Sequence, residues 1–244
     1  VEGEAHIVTV GTSVIRNSAP RVGGNLAEKL KGWARAKPGS PEDVEAGEKA
    51  APGTPEFRAV YEILALDPRS VSAELNAMWP YLERRRVEAA TLLATDSGAS
   101  EFCAEVLRKY LRDKWGIGEV EVTRVPELGR DFEKGLYNLL DALSSAVRRH
   151  GGRGRRVYLN ATGGFKPETA IVYVAASLMG IDRVYYIHEV MREVVELPIL
   201  PLDLRPDYRS LARLLGKPVL RRELEERMRP EAVKEAVRRG ILIE

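Results

Sequence analysis

The chain is poor in the residues that most often advertise a chemistry. Its 244 residues include one cysteine, Cys103. That excludes an internal disulfide and fits a reducing interior. Cys103 sits in EFCAEVL and reads as a helical core residue, not a reactive thiol. Glutamine is absent and asparagine occurs five times, beside many Arg and Glu. This resembles a thermophile's avoidance of labile amides. No apolar run approaches the roughly 18 residues of a membrane span, so no membrane association is expected. The first residues, VEGEAHIVTVGTSV, run straight into a strand without a secretory-signal pattern, so a cytoplasmic protein is expected. The three histidines, His6, His150 and His188, lie far apart and lack HxH, HxxxH or HExxH spacing. They indicate no metal site; His150, ending a helix in RRHGG, is read as complementing the helix dipole. Neither GxGxxG nor GxxxxGK(S/T) is present, so an ordinary NAD or ATP site is not indicated and no cofactor is expected. Ser13 is not in a GxSxG elbow, which disfavours a serine hydrolase. Net charge is only +2, so overall charge calls for no nucleic-acid partner. Internal repeats and heptads are also missing.

What remains is a clear alternation. Apolar strands are predicted at 5–14, 88–95, 119–125 and 156–160. Helices are predicted at 25–36 (capped by Asn25), 55–66, 70–86, 99–115, 131–150 and 167–179. Residues 183–190 and 193–199 read as an antiparallel pair. Strands alternating with helices argue for an α/β fold: a Rossmann-like, mainly parallel sheet with helices on both faces. Residues 37–55, KPGSPEDVEAGEKAAPGTP, read as a surface excursion. The domain is expected to span 1–204. The tail, 205–244, reads as three short helices (207–216, 219–228, 230–239), a stop at Gly240 and a terminal strand. That pattern suits a winged helix that stops before its wing, or equally a small appendage for dimer contacts.

In a doubly wound sheet, ligands bind at the carboxyl ends of the strands. Three predicted strand ends carry unusual polar residues: Gly11, Thr12 and Ser13, followed by Arg16 and Asn17; Thr95, Asp96, Ser97 and Gly98; and Asn160, Ala161, Thr162, Gly163 and Gly164, leading to Lys166. Each alone is explained by turn chemistry, since Ser, Thr, Asp and Asn cap helices and Gly permits positive φ. Together they favour a shared rim. The last is the most informative. A turn with free N–H groups, a hydroxyl and a cation opens a helix whose first turn holds Pro167, which is a recipe for holding phosphate. Two other patterns are set aside. RVYYIH (183–188) matches an R-x4-H ribonuclease motif, but on a strand that offset puts the side chains on opposite faces. The cluster Arg148, Arg149, Arg153, Arg155 and Arg156 lies at the amino end of its strand and reads as a solvated turn.

VTVGTSVIRN near the start, LLATDSGAS in the middle and LNATGGFKPE before a late helix resemble the CARF domains of CRISPR type III systems. Among these the chain looks most like the stand-alone ring nucleases. The resemblance covers roughly residues 5–204 and is weaker for the tail. It implies a homodimer that binds cyclic oligoadenylate, most often cyclic tetra-adenylate, across two pockets. It further implies metal-independent cleavage to linear di-adenylate with 2′,3′-cyclic phosphate ends. Lys166 would be the catalytic lysine and Ser13 the matching hydroxyl residue, with Thr12 its alternative. Gly11, Arg16, Asn17, Thr95, Asp96, Ser97, Asn160, Thr162, Gly163 and Gly164 would line the ligand. The excursion at 37–55 has no counterpart in the family. The alternative is a sensor that binds the ring without cutting it and regulates transcription through a DNA-binding tail.

Overall fold

Strand β1 (Glu4–Val10) is buried along nearly its whole length, as a central strand must be. It pairs in parallel with β2 (Val87–Ala94) on one side and β4 (Arg156–Asn160) on the other. Beyond β2 lies β3 (Glu119–Arg124). Beyond β4 lie β5 (Arg183–Ile187) and the antiparallel β6 (Val194–Leu197). The order is β3-β2-β1-β4-β5-β6. The structure is a computed structural model; it describes residues 3–163, 166–188, 193–206, 209 and 221–238, the side chains of 166–168 and 221 excepted.

Helices cover both faces. In chain order they are α1 (Ser13–Ser18), α2 (Gly24–Arg35), α3 (Pro41–Glu48), α4 (Pro55–Leu66), α5 (Pro68–Val71), α6 (Ala73–Glu83), α7 (Gly98–Trp115), α8 (Phe132–Gly151) and α9 (Lys166–Met179). One core layer joins Val8, Val10 and Leu92 of the sheet to Ile15, Trp33, Phe57 and Phe102. The other joins Ile7, Leu93 and Leu159 to Leu139 and Leu143 of α8 and Val172 of α9. Alternate residues of β1 and β2 thus feed opposite layers, and the expected Rossmann-like α/β architecture is present.

Four local expectations are corrected. The first strand ends at Val10, not at 14, because Ser13–Ser18 folds as α1 and buries Val14 and Ile15 against the core. Helix α2 begins at Gly24 after Gly23, so Asn25 lies inside its first turn and does not cap it. The excursion contains α3. Ser40 caps it by accepting from the Asp43 N–H, and Pro41 occupies the first turn. This helix packs on the start of α7 so closely that a Cβ on Gly98 would stand 2.0 Å from the Asp43 carbonyl oxygen. The expected helix 70–86 is two pieces, α5 and α6, because Ser72 breaks the first and caps the second by accepting from Leu75 N–H.

The chain divides into two compact units, Val1–Leu200 and Pro201–Glu244. In the second, α10 (Arg221–Arg227) and α11 (Pro230–Arg238) share a small core of Leu224, Met228, Val233 and Ala236. The expected helix 207–216, the stop at Gly240 and the terminal strand fall largely or wholly outside the described residues. So does the turn joining β5 to β6. Among the described residues no helix is long and apolar enough to cross a membrane.

Candidate functional site

The winding of the sheet places one crevice. From β1 the chain steps to β2 and β3 on one side, then crosses back to β4 and β5 on the other. The loops leaving β1 and β4 therefore diverge, and the crevice opens at the carboxyl ends of these two neighbours. Gly11–Ser13 and Asn160–Gly163 border it, while Thr95–Ser97 sits one strand further out, at the end of β2.

Glycine at 163 permits the close approach of the two loops. A Cβ there would lie 2.5 Å from the Thr9 carbonyl oxygen and 2.8 Å from the Gly11 nitrogen. The Thr9 hydroxyl donates to the Gly163 carbonyl and lies 3.2 Å from the Asn160 carbonyl. Asn160 is fully buried. Its amide donates to the Glu74 carbonyl at 2.9 Å, and its Oδ1 accepts from the N–H and hydroxyl of Thr162 at 3.2 and 2.6 Å. The Thr162 hydroxyl in turn accepts from Ile187 N–H at 3.2 Å. Asn160 and Thr162 thus shape the turn. Gly164 lies outside the described residues, and Lys166 is the first residue of α9 with its side chain outside them.

Sequence reasoning missed Glu74, which anchors the β1 side. This glutamate of α6 is only 2% exposed. Its Oε1 accepts from Gly11 N–H at 3.0 Å, and its Oε2 accepts from the hydroxyls of Ser13 at 2.5 Å and Ser72 at 2.9 Å. An acid two residues after a capping serine looks like an ordinary helix-dipole carboxylate, so the sequence signal was present but not distinctive. Ser13 is 6% exposed, and its Oγ also accepts from Ala73 N–H at 3.3 Å. Thr12, half-buried beside it, makes no side-chain hydrogen bond among the described residues. Arg16 is exposed, with no side-chain partner among them. Asn17 is committed to the Val71 carbonyl at 3.0 Å.

The β2 end is built differently. Asp96 is paired with Arg124 at 2.9 Å and Arg130 at 3.2 Å, and accepts from Glu127 N–H at 3.1 Å. It organises the loop between β3 and α8. Ser97 caps α7 by accepting from Ser100 N–H and donates to Asp43 at 2.8 Å. Asp43, from the excursion, also accepts from Ala99 N–H at 3.0 Å and Gly39 N–H at 2.8 Å. Burial opposes its charge, but those N–H groups and the Ser97 hydroxyl outweigh it and hold the carboxyl below its usual range. Asp43 therefore supplies the negative charge that the start of α7 favours. Thr95 and Gly163 both line a narrow crevice whose other walls include Leu93, Leu139 and Val172.

The remaining candidates have structural partners. His6 is buried with Nδ1 2.6 Å from the Tyr185 hydroxyl, and His150 is buried with Nε2 2.9 Å from the Thr91 hydroxyl. Burial pushes both below the usual histidine value, with Arg149 adding to the effect at His150. This disfavours the charged form that a dipole-complementing His150 would need. Arg149, Arg153 and Arg155 pair with Glu121, Glu119 and both Glu88 and Glu119 respectively, so these members of the basic cluster form an ion-pair network at the amino end of the sheet. Arg183 pairs with Glu196. Cys103 is fully buried in α7, and burial pushes its thiol well above the usual range. Among the described residues no three His, Cys, Asp or Glu are grouped to hold a metal ion.

A mainly parallel sheet wound both ways from β1, with polar turns at its switch point, defines a Rossmann-like α/β protein with a candidate ligand rim. Residues 69–200, just over half of the chain, match the family model described as CRISPR-associated protein (Cas_APE2256). The chain belongs to that family. The match takes in the β2 and β4 strand ends; the β1 end and the tail lie outside it.

Proposed function

We propose that this protein is a metal-independent ring nuclease, which binds cyclic oligoadenylate, cyclic tetra-adenylate foremost, and opens it. The observation that carries the reading is the switch point. Thr12 and Arg16 follow β1, Asn160 ends β4 with Ala161–Gly163 after it, and the two strands are hydrogen-bonded neighbours. The family match supports the CRISPR setting. In such a ring, a ribose 2′-hydroxyl attacks the adjacent phosphorus in line and expels the 5′-oxygen, leaving a 2′,3′-cyclic phosphate. The protein has to hold that geometry and stabilise a more negative phosphorane. Lys166, Arg16 and the N–H groups opening α9 supply positive charge; Thr12 and Ser13 supply hydroxyls.

A homodimer completes the reading. Ile171, Val174 and Leu178 of α9 are 38%, 46% and 43% exposed and share one helix face. An apolar stripe on the helix that starts at the rim suits a two-fold contact that brings two rims to one symmetric ring. The alternative, a sensor acting on DNA, draws support from the excess of Lys and Arg over Asp and Glu in 201–244. Incubation with cyclic tetra-adenylate in EDTA separates the two. Linear di-adenylate should form, and Lys166→Ala should abolish it, a loss of at least about 100-fold, with Tm unchanged. Tight binding without turnover would establish the sensor instead.

A further inference from the structure

Ser13 has one proton, and the structure fixes where it points. Its Oγ donates to Glu74 Oε2 at 2.5 Å and accepts from Ala73 N–H at 3.3 Å. A hydroxyl carries two lone pairs, so one remains to accept. Glu74 enforces this polarity because an ionised carboxylate only accepts. All three of its partners, Gly11 N–H and the hydroxyls of Ser13 and Ser72, are donors. The backbone carbonyl of Glu74 also receives Asn160 from the end of β4. One buried residue thus ties both halves of the rim. Among the described residues, no arginine or lysine pairs with its carboxylate.

We propose that Glu74 is a positioning residue that makes Ser13 an acceptor and takes up the proton that Ser13 passes on. The inference rests on the ring-nuclease reading. As the ribose 2′-oxygen bonds to phosphorus and the bond from phosphorus to the 5′-oxygen breaks, the 2′-proton moves to Ser13 Oγ. The proton already on Ser13 moves to Glu74 Oε2. The leaving 5′-oxygen takes a proton from solvent. Glu74 then returns its proton to solvent, so no proton is gained or lost overall.

Glu74→Gln tests this because it keeps the shape and reverses the two hydrogen bonds at Oε2, those from Ser13 and Ser72. The Gln oxygen still accepts from Gly11, while its NH2 donates to both Ser13 and Ser72 and turns the Ser13 proton outward. Single-turnover cleavage of cyclic tetra-adenylate should fall about 100-fold or more, within the range for losing a general base. Kd for the ring and Tm should stay near wild type. Ser13→Ala should lose as much, and the double variant no more than either single one, as expected for groups acting as a unit. Wild-type cleavage in Glu74→Gln, or cleavage and binding lost together in a folded variant, overturns the inference. If Glu74→Gln does not fold, Ser13→Ala decides alone: loss of cleavage with Kd retained supports the relay, and normal cleavage overturns it. A wild-type protein that binds or ignores the ring without cutting it sinks the function and this inference together. Turnover that survives either substitution sinks only this inference.

Discussion

Two neighbouring strand ends carry a short run of Thr, Ser and Gly, and the protein uses them in opposite ways. At the end of β2, Asp43 from α3 caps α7 through Ala99 and Ser97, and Asp96 is matched by Arg124 and Arg130. At the end of β1, Glu74 holds Gly11 and Ser13 from behind, while the hydroxyl of Thr12 and the guanidinium of Arg16 have no side-chain partner among the described residues. One end is closed by the protein's own charges. The other keeps a hydroxyl and a cation available beside the switch point. Similar turn chemistry therefore becomes a structural joint in one place and a candidate rim in the other, according to what the rest of the chain brings to it.

The largest expected effect is at the closed end. Asp43→Ala leaves the N–H groups of Ala99 and Gly39 and the Ser97 hydroxyl without their buried acceptor. It should cost about 3 kcal/mol, roughly 6–12 °C in Tm for a chain this size, measured by thermal denaturation. Ring binding by the folded fraction should be unchanged. If binding fell with stability intact, the closed end would belong to the site.

The same carboxylate sets an acid limit. Its folded pKa lies below the unfolded value of about 3.9, so its contribution is complete above that pH and is lost as pH falls through the folded value. Denaturation followed from pH 5 to pH 2 should show a slope from this group of up to about 1.4 kcal/mol per pH unit. Asp43→Asn should flatten the curve; an unaltered slope would assign the acid sensitivity elsewhere.

Smaller effects should separate the ends by function. Arg16→Ala removes an exposed cation and should weaken ring binding about tenfold, near 1.4 kcal/mol, with Tm unchanged, by calorimetric titration. Asp96→Asn should lower stability by about 1 kcal/mol and leave Kd alone, because its partners are within the protein. The reverse pattern would exchange the roles assigned to the two ends.

The sheet was legible because buried parallel strands read as apolar runs closed by polar turns, as in β2 and β4. Helix α1 was not, because Val14 and Ile15 follow the strand directly and share its β-branched character. Helix α3 was masked by the Pro and Gly around it, although Ser40-Pro41 is a start signal. The rim was half legible. Local composition marks Thr12, Arg16 and the turn before Lys166. Nothing local shows that Arg124 and Arg130 return to Asp96, that Asp43 crosses to α7, or that Glu74 reaches Ser13 and Gly11. Those pairings join residues 28 to 63 positions apart and exist only once the sheet has folded.

The proposed ligand position is between β1 and β4 and not at β2. Hydrogen–deuterium exchange with and without cyclic tetra-adenylate tests it directly. Ring-dependent protection is expected in residues 11–17 and 160–169, with exchange in 96–101 unchanged. Protection centred on 96–101, with 11–17 unaffected, would contradict it.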